Sequence, residues 1–263
     1  MLGICHGYNV DQVRHWALSA QKYQDNYDIV LINADGNESV HNFCNLNGIK
    51  TYGTLVEVKN IYHDRHKIWH DWLKDKDYDF VLCTDVVDVI FQSNPFKWID
   101  RNMGSKTLIV GGEGVTVKEQ DWNTENISRT FAKEKELVMN NEVVCGGMIG
   151  GYKLDVMKLM MDIYYLSLGE KQHSIIDQAA LNVALASRRD ISDRMKITNT
   201  SESLVAHLFV SGNQVLYGSY PTYRHLLPTM VDGVLKNHEG IPYSIVHQYN
   251  RFPDWQRQLI EKI

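Results

Sequence analysis

The sequence predicts an α/β protein: one domain with a mostly parallel central sheet, helices on its flanks and a smaller antiparallel extension. Three observations lead there. Short apolar, β-branched runs alternate with segments of helical period, strand-like runs gather again after Arg189, and no stretch rich in Pro, Gly or Ser divides the 263 residues. The first strands fall at Leu2–Cys5, 29–33, Phe80–Thr84, 108–110 and 143–149. Between them, SVHNFCNLNG closes as a short helix capped by Gly48. IYHDRHKIWHDWLKD sets Ile61, Ile68, Trp69 and Trp72 near one helical face. Segment 111–141 is polar and without clean period, so it reads as an excursion from the sheet, either a solvated insertion or a loop beside a cleft. After Arg189, MKITNT, LVAHLFV and QVLYGS supply the antiparallel strands.

With 44% hydrophobic and 22% charged residues, the chain has the material for a sizeable core. A net charge of −5 and scattered Lys and Arg argue against a nucleic-acid surface, which needs a basic face. Cys5, Cys44, Cys83 and Cys145 lie far apart and form no CxxC pair, so the zinc-ribbon and redox readings fail. No basic segment followed by an apolar one precedes LGICHGYN, and no run reaches the roughly 20 apolar residues of a membrane span. The expectation is a soluble, cytoplasmic protein without a membrane span.

The stretch VLCTDVVDVIFQSNPF ends an apolar strand on Asp85 and Asp88. Carboxylates are costly beside a core unless something positive meets them, and oxygen ligands at a strand end suit Mg²⁺ or Mn²⁺ bridging to nucleotide phosphates. Residues three apart on a regular strand face opposite sides, so both reach one cation only if the chain bends at Val86 and Val87. A solvated turn before NPF accounts for the same two residues.

Other stretches keep them company. In CGGMIGG, Gly146 and Gly147 suit a strand that a ligand or another backbone approaches closely. SIIDQAALN reads as the start of an amphipathic helix with Ser174 as N-cap; Asp177 then has a dipole explanation, and Gln178 has no capping one. Arg65 stands on the helix that leads into the aspartate strand, either as a forked phosphate or sugar contact or as an exposed arginine paired with Asp64 or Asp71. IVHQYNR offers His247, a metal ligand or a core histidine, and Arg251.

In this order, the aspartate motif running through DVIFQ to NPF, the glycine-rich strand, DQAALN and the late histidine resemble the GT-A fold glycosyltransferases that use nucleoside-diphosphate sugars. By motif order the likeness is to their glycogenin-like retaining branch. It spans about residues 2–251 through short motifs, and departs from D-x-D by one extra residue between the aspartates. The resemblance implies a single Rossmann-like GT-A domain over 1–263, with nucleotide binding in about 1–110 and donor and acceptor binding in about 111–263. It implies transfer of a sugar from a UDP-sugar to a hydroxyl acceptor with retention, with Mn²⁺ or Mg²⁺ held by Asp88, Asp85 and His247, and Asp85 also placed to serve the ribose. CHGYN would hold base and ribose, with Tyr8 stacking on uracil and His6, Gly7 and Asn9 beside it. Arg65 and Arg251 would meet the diphosphate, and Gly146 and Gly147 would admit the sugar. Asp177 would bind sugar hydroxyls, and Gln178 would lie under the anomeric carbon. An inverting enzyme would need a base, for which Glu113, Asp121 and Asp177 stand equal. Two other classes remain: a catalytically silent sugar- or nucleotide-binding protein of this fold, and a sugar nucleotidyltransferase, against which HGYNVDQ lacks the glycine- and lysine-rich loop.

Overall fold

Strands buried on both faces need unbroken apolar runs, and β1 (Leu2–Cys5), β2 (Val30–Asn33) and β4 (Phe80–Thr84) are such runs. A computed structural model describes residues 1–54, 57–168, 175–218 and 227–263, without the side chains of 216 and 217. Its other strands are β3 (Lys50–Tyr52), β5 (Val89–Phe91), β6 (Leu108–Thr116), β7 (Glu142–Tyr152), β8 (Met195–Thr198), β9 (Val205–His207), β10 (Thr229–Val231), β11 (Val234–Lys236) and β12 (Ile245–His247). The helices are α1 (Val10–Lys22), α2 (Glu38–Leu46), α3 (Ile61–Leu73), α4 (Pro95–Asn102), α5 (Asp121–Thr130), α6 (Lys135–Val138), α7 (Lys153–Leu168), α8 (Asp177–Ser187), α9 (Arg189–Ser192), α10 (Leu208–Tyr217) and α11 (Pro253–Ile260).

The protein is α/β, with a seven-stranded, mostly parallel sheet in the order β3-β2-β1-β4-β7-β6-β8, flanked by helices. β1 runs parallel to β2 and β4, and β2 to β3, while β6 and β7 are antiparallel. The chain goes outward from β1 to β3 and then sets β4 on the other side of β1. The order therefore reverses between β1 and β4, where open α/β sheets hold ligands beyond the carboxyl ends of their strands. Two compact units divide the chain: Met1–Leu55 with Cys83–Gly104 and Thr198–Ile263, and Val56–Leu82 with Ser105–Ile197. Among the described residues no helix is long and apolar enough to cross a membrane.

In the first unit α1 fixes the chain around the aspartates. It starts in a capping box, Asn9 Oδ1 accepting from Gln12 N and Gln12 Oε1 from Asn9 N. Its face carries Val13, Trp16, Ala17 and Ala20 inward. Trp16 Nε1 donates to Thr84 Oγ1 at 2.9 Å, and Ser19 Oγ accepts from Phe91 N at 3.1 Å. Three positions apart, these residues share one helix face and grip the chain on both sides of residues 85–88. A small sheet of order β5-β12-β9 follows, with β12 antiparallel to β5 and parallel to β9. Behind it pack Ile90, Val246, Tyr249, Phe252 and Trp255. β10 and β11 form a hairpin whose turn residues, Asp232 and Gly233, both have positive φ, the Asp-Gly choice that matches strand twist.

The structure departs from the sequence reading in four places. β3 is unannounced because two of its three residues are exposed and it has no apolar run. Residues 111–116 belong to β6, not to an excursion; glycines hide the strand, and register shifts after Val110 and Gly112 accommodate them on β7. Of QVLYGS, Gln214–Tyr217 end helix α10, closed by Gly218 in the left-handed region, rather than forming a strand, and Ser219 lies outside the described residues. Of the expected antiparallel extension, β8 joins the main sheet as expected, but β9 pairs parallel to β12 in a separate small sheet, and the antiparallel pairs are β5–β12 and β10–β11. Ser174, the expected N-cap, lies outside the described residues, and α8 begins at Asp177.

Thr84→Val should destabilise the protein by about 1–3 kcal/mol, because it keeps the packing and leaves the buried Trp16 N–H without its acceptor. Urea unfolding of the variant beside the wild type measures this.

Candidate functional site

Strand β4 ends at Thr84, and residues 86–88 form a bend before β5 starts at Val89. Val86 drives the bend. Its side chain is buried, and a Cβ placed on Gly3 would stand 2.7 Å from Val86 Cγ2 and 2.8 Å from Trp16 Cζ2, so Val86 fills the space that glycine leaves over β1. With Val86 turned inward, Asp85 and Asp88 come to one side. The bend at Val86 and Val87, without which Asp85 and Asp88 would face opposite sides, is present. Behind it, Tyr249 Oη donates to Val87 O at 3.4 Å and meets His15 Nδ1 at 3.2 Å. Burial, with the Asp88 charge adding to it, pushes the Tyr249 phenol above its ordinary range, so it stays a neutral donor.

His247 closes the group from the far end of the chain. It pairs in register with Val89, the residue after Asp88, and Gln248 N donates to Asp88 O at 2.7 Å, with Gln248 in the left-handed region at φ 63°. His247 Nε2 stands 3.4 Å from Asp85 Oδ2 and 3.5 Å from Asp88 Oδ1. All three donor atoms lie within 4.8 Å of one another. Donors cis to each other in an octahedral shell with bonds of about 2.1 Å stand about 3 Å apart, so small side-chain movements bring this set onto one cation. Two carboxylates and an imidazole fit a divalent ion of the Mn²⁺ type. The side chain of the histidine is 4% exposed and those of the aspartates 28% and 21%, so a cation held here would be reached from the aspartate side. His207, which the sequence reading missed, touches His247 from the other side, Nδ1 to Nδ1 at 2.9 Å. Its only sequence signal is a histidine in LVAHLFV set as His247 is set in IVHQY. Burial holds the His207 pKa well below the ordinary histidine range.

The β1 end carries the second group of candidates in this unit. His6 follows the strand, and its Nδ1 is shielded from solvent with no hydrogen-bond partner among the described residues. Gly7 has φ 70°, and its N–H donates to Asp35 Oδ2 at 2.9 Å. Tyr8 is half-buried and its carbonyl accepts from Asn37. Asn9 is committed to the α1 cap. Arg251 is exposed, with its guanidinium 4.8 Å from the centre of the Phe209 ring.

In the second unit α8 is clamped to β7. Gln178 Oε1 accepts from Gly146 N at 3.2 Å, and Asn182 bonds both N and O of Val144 at 2.9 and 2.8 Å. Four helix residues rise about 6 Å and two strand residues about 6.6 Å, so positions 178 and 182 match 146 and 144. The Gln178 amide also donates to Asn123 Oδ1 at 3.0 Å and Glu113 Oε1 at 3.3 Å. Both its protons are thus used, a structural explanation the sequence did not offer. Glu113 is buried at this cluster, and Asp121 begins α5. Gly147 lies in β7 beside Gly146.

Arg65 is neither exposed nor paired with Asp64 or Asp71. It is buried, its Nη2 stands 2.5 Å from Asp177 Oδ2, and it donates to Gly146 O at 3.3 Å. A Cβ at Gly146 would stand 3.3 Å from that nitrogen, so the glycine makes room for the ion pair. Asp177 is thus more than a helix-dipole residue. Buried His66 faces it at 3.7 Å, and burial lowers the His66 pKa despite the carboxylate.

Asp177→Ala should cost about 3–5 kcal/mol in urea unfolding because it breaks the buried Arg65–Asp177 pair, and Arg65→Met with Asp177→Leu should recover most of it. His66 and His207 both have lowered pKa values in the fold. Below about pH 6.5 the unfolded chain then binds more protons than the native one. Stability should therefore fall from pH 7 to pH 5, less steeply in His66→Leu, as urea midpoints across that range will show.

Searched against protein-family models and against curated proteins, the chain matches none.

Proposed function

We propose that the protein is a metal-dependent glycosyltransferase that moves a sugar from a nucleoside-diphosphate sugar, a UDP-sugar being the donor the resemblance implies, to a hydroxyl acceptor with retention. The observation that carries this reading is the meeting of Asp85, Asp88 and His247 beyond the carboxyl end of β4, beside the reversal of strand order at β1. Asp85 and Asp88 supply hard oxygen donors and His247 a nitrogen, and all three come from short strands or a braced bend. A bound Mn²⁺ would take up charge on the leaving diphosphate as a Lewis acid. His6 Nδ1, buried and without a partner among the described residues, supports a polar ligand at the β1 end, as base or ribose would be. In the second unit, Arg65 holds Asp177 in one orientation at 2.5 Å. A carboxylate so fixed suits acceptance of sugar hydroxyls, while Gln178, bonded to Gly146, Asn123 and Glu113, fixes the start of α8 on β7.

Nucleotide release from UDP-, GDP- and dTDP-sugars, with and without Mn²⁺, tests the reading. Mn²⁺-dependent release is the expected result. Mn²⁺-dependent binding without release would identify a silent binding protein, and release indifferent to metal would remove the metal from the mechanism. Because the two carboxylates stand at nearly equal distances from His247 Nε2, Asp88→Asn and Asp85→Asn should each weaken Mn²⁺ binding and lower turnover at least about 100-fold without lowering the melting temperature. Unchanged Mn²⁺ affinity in Asp85→Asn would assign Asp85 to the ribose instead.

A further inference from the structure

We propose that His207 is a positioning residue for the metal centre: its Nδ1 accepts the Nδ1 proton of His247, which turns Nε2 towards Asp85 and Asp88 and keeps the Nε2 lone pair for a divalent cation. The inference rests on the metal reading above and adds a residue to it.

The geometry begins with register. β12 lies between β5 and β9, and His247 is opposite Val89 on one side and His207 on the other. Cross-strand partners project from the same face, so the two rings stand together in one row that leads to the residue after Asp88. The rings meet edge to face at 89° with centroids 5.1 Å apart. Both are buried, His207 at 2% and His247 at 3% exposure, so water does not compete for the contact.

At 2.9 Å, the two Nδ1 atoms share a single proton. If His207 donated it, neutral His247 would carry its own proton on Nε2, between the two carboxylates, and could not bind a cation there. If His247 donates it, His207 keeps its proton on Nε2 and the metal-facing nitrogen of His247 is a base. A ligating histidine needs a partner of this kind on its other nitrogen. Further features mark His207 as dedicated to the task. It stands at the start of α10 without capping it through its side chain, its carbonyl is held by Ser211 Oγ at 2.9 Å, and its Nε2 has no hydrogen-bond partner among the described residues. An imidazole buried for one hydrogen bond has its reason in that bond.

The test compares His207→Phe, which keeps a ring and removes the acceptor, with His207→Asn, whose Oδ1 stands near the position of Nδ1. Mn²⁺ affinity is read from the EPR signal of the free ion, and unfolding without metal checks the fold of each variant. Phe should weaken binding about 10- to 100-fold, and Asn should restore most of the loss. Independently, long-range ¹H–¹⁵N NMR of the wild type with saturating Mg²⁺ should show His247 protonated on Nδ1, a readout that needs no variant. A folded Phe variant that binds Mn²⁺ as the wild type does, an Asn variant no better than Phe, or His247 protonated on Nε2 under Mg²⁺ would overturn the proposal. A wild type that binds no Mn²⁺ would instead overturn the metal reading beneath it.

Discussion

Two carboxylates at the end of a buried strand are stable only where the chain turns them out of the core and something meets them. That constraint organises the first unit. Val86 takes the buried position over Gly3 and Trp16, and Asp85 and Asp88 turn to His247. The bend survives because α1 holds both its ends, through Trp16 to Thr84 and Ser19 to Phe91, while Tyr249 and Gln248 bond the carbonyls of Val87 and Asp88. Two of these four bonds are made by side chains of α1, so a regular element braces the bend from both sides.

The second unit solves a similar problem with an internal ion pair. Arg65 and Asp177 are both buried, and each would be costly without the other. Gly146 leaves the guanidinium room, a Cβ there standing 3.3 Å from its nitrogen, and Gln178 and Asn182 fix α8 against β7 at matching spacing. Much of what the DQAALN segment does is therefore architectural: it presents Asp177 in one orientation.

Local chemistry made part of this legible. β1 and β4 are continuous apolar runs with polar residues at their ends, and both lie where the sequence puts them. Asp85 and Asp88 stand out because charge follows such a run, and Gly48 because it ends a helical pattern; its φ is 70°. β3 and the second half of β6 were hidden, since exposed or glycine-rich strands lack the periodicity that marks a buried one. QVLYGS misled because β-branched and aromatic residues suit either state, and the preceding turn of α10 decides for helix.

What the sequence determined by itself is the α/β class and the strand-end position of the aspartates, because apolar period and the charge that ends it are local properties. Only the tertiary structure decided that the bend at Val86 brings Asp85 and Asp88 to the same nitrogen, that Arg65 belongs to Asp177 and not to its helix neighbours, and that His207 backs His247. Each of these joins residues far apart in the chain through strand register or burial. A partner chosen by register and by the cost of leaving a buried charge alone cannot be read from the residues beside it.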